Sequence, residues 1–414
     1  MAALCIFEDD QVSSLLPLAY LRPAYDLRCG MLTLREKLHR SYDGAVISLH
    51  CRSYLAEVLR ERNPGVNVNH LPSNGSLFLN GRIIAGENLS EEIPLKGEDT
   101  LFYSGETLVA ARVGKEKLSS VLMKDSFGVK DTKDFKRKFV EVELANYPWD
   151  LVSANGSEIA MDFNRLVERE TLRGTIYLGA HVLDKESVFV DQDAVVKPGA
   201  VLDAENGPIY IGKNVKIYSN AVIEGPAFIG ENSLIKIGAK IYGGTSIGPW
   251  CKVGGEVEGS IIHSYSNKQH DGFLGHSYLG MWVNLGADTN NSDLKNNYGT
   301  VKVMINGKSV DTGTMFVGLT MGDHSKSGIN TMFNTGTVVG VSSNIFGGGF
   351  PPKSIPSFAW GGADGFEPYD LEKSIAVART VMGRRKVQLT PAEEKLLRGV
   401  HGMTSKAKKP SKRK

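Results

Sequence analysis

The sequence predicts an α/β domain followed by a parallel β-helix, and three observations carry that expectation. The first half alternates short apolar strands with helical stretches. From Ile211 onward an aliphatic residue returns every sixth position, and small residues and glycines keep fixed places beside those aliphatics. A chain of 414 residues also exceeds what one hydrophobic core supports, so two major units are expected. The formal charge of +2, with basic residues spread along the chain, excludes a nucleic-acid-binding face. Cys5, Cys29, Cys51 and Cys251 lie far apart without CxxC spacing, which predicts reduced thiols and a cytoplasmic location. The opening Leu4-Cys5-Ile6-Phe7 runs at once into Glu8, Asp9 and Asp10, too short and acidic for a signal peptide. No apolar run is long enough to span a bilayer, so no membrane partner is expected.

In the first half, Leu4 to Phe7, Ala45 to Leu49 and Leu77 to Leu79 read as strands and Ser53 to Arg62 as a helix. The segment Leu21-Arg22-Pro23-Ala24-Tyr25-Asp26-Leu27-Arg28-Cys29-Gly30 leads into Leu32 to Lys37. Its cations Arg22, Arg28 and Lys37 are candidate phosphate binders. Asp26 orients an arginine or helps hold a metal; on the alternative reading, an Arg–Asp pair pins the first helix.

The repeat runs through Ile211, Ile217, Ile223, Ile229, Ile235, Ile241, Ile247 and Val253, with Ala221, Ala227, Ser233, Ala239, Thr245 and Cys251 two places ahead. A six-residue unit makes one short strand and a turn, three units close a coil, and coils stack at about 4.8 Å. Burying each aliphatic side chain contributes about 1.5 to 3 kcal/mol. Weaker copies at Ile176, Val182 and Val188, and a resumption at Met321, Phe333, Val339 and Ile345, extend the pattern over 175 to 350. Interruptions at Ser264 to Gly275 and Asn290 to Thr314 are where chemistry is expected, because long excursions from a solenoid usually carry function. Asn306-Gly307 within the second predicts a hairpin. Pro351, Pro352 and Pro356 are expected to end the repeat, and two helices follow, Asp370 to Arg385 and one opening at Thr390-Pro391-Ala392-Glu393. These helices are expected to pack across an oligomer or cap the prism. The predicted divisions are 1-165, 166-350, 351-404 and a basic tail 405-414.

The stretch Lys268-Gln269-His270-Asp271-Gly272-Phe273-Leu274-Gly275, followed by Val283-Asn284-Leu285-Gly286-Ala287, resembles the GlmU-like bifunctional family. So do Asn290 to Gly299, Gly322-Asp323-His324-Ser325-Lys326 and Phe346 to Pro352, which are similar to a bacterial branch of it with a divergent N-terminal domain. Arg22 to Gly30, Asn80-Gly81-Arg82 and Tyr147-Pro148-Trp149-Asp150-Leu151 with Asn155 carry the resemblance into the first half. It implies a nucleotidyltransferase-like α/β domain, a left-handed β-helix acyltransferase domain and a homotrimer. The implied function is sugar-nucleotide biosynthesis. Acetyl-CoA would acetylate an amino-sugar 1-phosphate like glucosamine 1-phosphate, and the first domain would transfer a nucleotidyl group, with Mg²⁺, toward a product of the UDP-N-acetylglucosamine type.

By that resemblance His270 is the general base, and neutral imidazole suits proton removal near pH 7. Asn284 is the sugar-phosphate ligand, and the cations Lys240, Lys295 and Lys326 with Asn297 are further candidates for the anionic phosphate. Ala287, Gly328 and Asn330 are the expected acetyl-CoA contacts. The chain departs from the family in three places. Phe273 stands where the family has a tyrosine, Glu258 where it has a phosphate-binding lysine, and Lys240 where it has an arginine. The glycine-rich phosphate loop after the first strand is absent, and no metal ligands are assigned. The alternatives are nucleotidyl transfer alone on a β-helix scaffold, a zinc-dependent hydratase using His263, His270 and His276, and a binding protein without catalysis.

Overall fold

The computed structural model describes residues 3–167 and 172–407. The first domain is built on a seven-stranded sheet whose parallel part joins Ala3–Phe7 to Val46–Leu49 on one side and Ser76–Asn80 on the other. All five positions of Ser76–Asn80 are buried, as a strand covered on both faces should be. The antiparallel strands Thr107–Val113 and Thr100–Ser104 extend the sheet. Leu34–Arg40 is a helix because Thr33 and Glu36 form a reciprocal capping box at its start. The expected helix after Ser53 is a 3₁₀ turn, Ser53–Leu55, running into Ala56–Arg62. A longer helix, Pro148–Leu166, closes the domain and packs on the β-helix.

The β-helix has three parallel faces, and its longest sheet stacks nine strands from Val188–Val190 to Ser354–Ile355. Ile217, Ile223 and Ile229 belong to successive faces of one coil, and Ile235, Ile241 and Ile247 to the next. All six are at most 1 % exposed, so the six-residue period is the core of the prism.

Three expectations change and one holds. Ser264 to Gly275 does not leave the coil: Asn267–Lys268 and Phe273–Gly275 stay in register as strands of two faces. The pattern loses phase there because the spacing shortens from Val253 to Val257 to Ile262, and because Lys268 takes an inward place. Asn290 to Thr314 does leave the coil, and its hairpin Lys302–Ile305 with Lys308–Asp311 turns at Asn306 and Gly307, both at positive φ. The prolines do not end the stack, since Ser354–Ile355 and Ala359–Gly362 continue it. The terminal helices Leu371–Gly383 and Pro391–Ala407 do not cap the prism within this chain. They return to the first domain, where Arg62 lies 2.6 Å from Glu393 and Lys395 2.6 Å from Glu57. The second helix runs through 405–407, and the rest of the basic tail lies outside the described residues.

All four cysteines are buried and unpaired. No helix among the described residues is long and apolar enough to cross a membrane.

Candidate functional site

His270 sits at a corner between two faces of the prism, where the strand Asn267–Lys268 ends and Phe273–Gly275 begins. Its side chain is exposed and has no hydrogen-bond partner among the described residues. Gly272 makes the corner possible: φ is +110°, and a Cβ there would fall 2.3 Å from the carbonyl oxygen of Thr289 on the next coil. Lys268 occupies an inward position beneath Val253, 1 % exposed. An ammonium there is costly unless its donors are satisfied. Its Nζ donates to the carbonyl of His270 at 2.7 Å and to that of Gly254 at 3.2 Å, fastening the corner that carries the imidazole. Burial pushes the Lys268 amine down to about 8, against the opposing pull of Asp271, Asp288 and Glu256.

The stacked corners bring the expected acetyl-CoA contacts to the same file. Asp288 donates its N–H to Asp271 at 3.1 Å, and Asn330 donates to Ala287 at 2.8 Å. Ala287, Gly328 and Asn330 therefore lie on the coils directly beyond His270. Two further inward positions there are polar. Asn291 bonds both the N–H and the carbonyl of Gly275 at 3.0 Å, and Ser327 meets Thr289 at 2.8 Å. The aliphatic columns break at the coils around the His270 corner, each break being hydrogen-bonded.

Asn284 lies on the face leading into this file, and its Oδ1 accepts from Asn267 Nδ2 at 3.2 Å. The expected phosphate ligands Lys240, Lys295 and Asn297 are not gathered beside it. Lys240 is exposed on another face, 3.4 Å from Glu256. Lys295 donates to the carbonyl of Thr300, and Asn297 accepts from the N–H of Gly299 at 3.1 Å. Both belong to the excursion, where Asn297 serves as a turn former, and Val301, Val303 and Ile305 of that excursion pack on Trp149 of the first domain.

The three cations of the first-domain motif are buried and turned to structure. Arg22 forms a two-pronged ion pair with Asp323 of the β-helix and also donates to Leu18. Lys37 lies 2.7 Å from Glu158 and 2.5 Å from Asp162, all three side chains buried. Arg28 donates to the carbonyl of Met31 and lies over the Phe228 ring, 5.3 Å from its centroid. Arg28 borders a cleft of about 560 Å³ between the domains that Arg40 and Lys213 also line, whereas Arg22 lines a much smaller pocket together with its partner Asp323. Asp26 pairs with Arg35 of the first helix at 2.9 Å, so the pinning alternative is the one present. The backbone of the same motif is bound by the β-helix: Tyr278 Oη accepts from the N–H of Arg28 at 2.7 Å, and Ser246 Oγ donates to Gly30 at 2.8 Å. The carboxyl ends of the parallel strands are filled as well, with Glu8 held by Arg52 and Asp9 by Arg82.

His263 is enclosed, with Nε2 2.9 Å from the carbonyl of Asp26, and burial holds its imidazole well below the usual range. His324 is likewise buried and neutralised by desolvation. His276 is different: Nδ1 lies 2.8 Å from Asp293 and its ring packs on Phe316 at 4.9 Å. Asp293 and Phe316 come from opposite ends of the excursion, so no local spacing announced this pair. Lys268 was also concealed, because counting by six from Val253 passes it by. Among the described residues no group of three or more His, Cys, Asp or Glu is placed to hold a metal, so His263, His270 and His276 form no site within one chain.

Residues 4–171 match the sugar nucleotidyl transferase family. The bifunctional sugar-1-phosphate nucleotidylyltransferase/acetyltransferase of Sulfurisphaera tokodaii is 30% identical over 100 residues, 24% of this chain and 25% of that protein. The bifunctional protein GlmU of Synechococcus elongatus is 24% identical over 238 residues, 53% of this chain and 49% of that protein. The chain thus spans half or less of the length of these relatives. Among solved structures, the UDP-N-acetylglucosamine acyltransferase from Campylobacter jejuni covers 54% of this chain and 95% of its own, at 12% identity and a TM-score of 0.20. A domain matching the sugar nucleotidyl transferase family thus runs into a hexapeptide β-helix, and the chain is similar to relatives named as bifunctional nucleotidylyltransferase/acetyltransferase and GlmU proteins.

Proposed function

We propose that this protein is a transferase of sugar-nucleotide biosynthesis whose β-helix, about 166-350, acetylates an amino-sugar 1-phosphate from acetyl-CoA. The observation that carries the reading is the His270 corner: an exposed imidazole fastened from beneath by Lys268 and followed by the file of Ala287, Gly328 and Asn330. The amine attacks the thioester carbonyl, the C–N bond forms as the C–S bond breaks, and the amine proton passes to the imidazole and then to the departing thiolate. A base so placed contributes about 10²- to 10⁴-fold. Asn284 would orient the sugar phosphate, and N–H groups of the glycine-bearing corners would face the oxyanion.

The first domain, about 1-165, is assigned sugar-1-phosphate nucleotidyl transfer on its family. The chain would act as a cytoplasmic homotrimer. For Mg²⁺, the nearest candidates at the carboxyl ends of the strands are Glu8 and Asp9, but arginines already neutralise both, so the residues present do not fit a ready magnesium site and no step is assigned to the ion.

The test incubates the purified protein with acetyl-CoA and glucosamine 1-phosphate and follows free thiol. Thiol release that disappears in His270→Ala supports the reading, and an unaltered rate in that variant removes it. Pyrophosphate release from UTP and a sugar 1-phosphate checks the first domain separately.

A further inference from the structure

On one face of the β-helix a group of cations stands without counter-charges. Lys252 and Asn267 are register partners on adjacent coils, and Asn284 follows Asn267 on the next. Arg385, just past the helix Leu371–Gly383, reaches back to this file and donates to Asn267 Oδ1 at 2.8 Å, while Asn267 Nδ2 donates to Asn284 at 3.2 Å. Lys236 lies over the Tyr218 ring at 5.6 Å, on the corner two coils before His270. Among the described residues none of Lys236, Lys252, Arg384 and Arg385 has a carboxylate partner, although fifteen ion pairs form elsewhere.

The group is partly desolvated too. Burial lowers the Lys252 amine, and Arg385, Lys236 and Arg384 lower it further; burial also lowers Arg385, with Arg384 adding to the effect. Like charges drawn together out of water raise the free energy unless an anion joins them. An arginine hydrogen-bonded through a neutral asparagine still presents a fork of free N–H donors, which suits a phosphate monoester.

We infer that Arg385 and Lys252, with Lys236 beside them, form the binding site for the phosphate of the acceptor, completed by an arginine that the C-terminal extension delivers. This rests on the acetyl-transfer reading for the identity of the acceptor. Asn267 and His270 are three residues apart, a chain reach of at most about 10 Å, so one monosaccharide can present its phosphate to Arg385 and its amine to the imidazole.

The experiment measures equilibrium binding of glucosamine 1-phosphate, glucosamine, CoA and dephospho-CoA to the full chain and to Arg385→Gln, Lys252→Met and His270→Ala. The expected result is a loss of ten-fold or more in affinity for glucosamine 1-phosphate in Arg385→Gln, a smaller loss in Lys252→Met, and little change for glucosamine or for CoA relative to dephospho-CoA. Unchanged sugar-phosphate affinity in Arg385→Gln overturns the inference, as does a loss confined to CoA. So does dissociation of the assembly in that variant at unchanged affinity, which would mean that a neighbouring copy's carboxylate answers the cations. Binding does not require turnover, so Arg385-dependent affinity in a protein without acetyl transfer would sink the acetyl-transfer reading and leave the phosphate site standing.

Discussion

The cations of the first-domain motif and those on the β-helix face are the same residue types in opposite circumstances. Arg22 and Lys37 are enclosed with carboxylates at ion-pair distance, so their charges are answered within the fold. Lys252 and Arg385 are half-exposed and answered by none among the described residues. A buried paired cation holds elements together, whereas a gathered unpaired one is open to a ligand. Residue type alone does not separate these cases; the partners do.

The comparison breaks most visibly at the His270 corner. His270→Ala is expected to lower acetyl-CoA-dependent turnover by about 10²- to 10⁴-fold with little movement of the unfolding midpoint, since the residue is exposed and has no hydrogen-bond partner among the described residues. His276→Ala is the counterpart, and a larger loss there would shift the base to the imidazole that Asp293 orients. Next comes Lys37→Met, which leaves Glu158 and Asp162 buried without their cation and should destabilise the first domain by about 3 to 5 kcal/mol in denaturant unfolding. Its KM values should stay unchanged; a selective rise in the KM for nucleotide would restore Lys37 as a phosphate ligand.

Lys268→Met lies between the two regions, being buried yet bound only to carbonyls. Turnover should fall by about ten-fold as the His270 corner loosens, with KM for acetyl-CoA rising less. The pH dependence of stability checks the same residue. The native amine sits at about 8, so between about pH 8 and its unperturbed value the unfolded chain holds a proton that the native chain lacks. Stability therefore gains from this group as pH rises through that window, and below pH 8 its buried charge counts against the fold. The methionine variant should lose that slope. The smallest effect belongs to Lys240→Ala, whose exposed pair with Glu256 is worth about 0 to 1 kcal/mol and whose removal should leave acceptor binding intact.

The β-helix was legible in the sequence because its stabilising contacts repeat: a six-residue period sends every sixth side chain into the same column, and the columns from Ile211 to Val253 can be counted without knowing the partner coil. His270 was singled out through a resemblance and its role stands as a proposal, while the Asn306-Gly307 hairpin and the Thr390 cap were legible through local backbone preferences. What the motif from Arg22 to Lys37 does was not legible, because it depends on groups far along the chain: Asp323, Glu158 and Asp162, Tyr278 and Ser246. For the same reason the inward Lys268 and the reach of Arg385 to Asn267 surfaced only with the coils stacked. Periodicity and capping act between neighbours in sequence, so they can be read along a line. The pairing of a buried charge is decided by whichever distant residue folding brings to it, and that belongs to the tertiary structure.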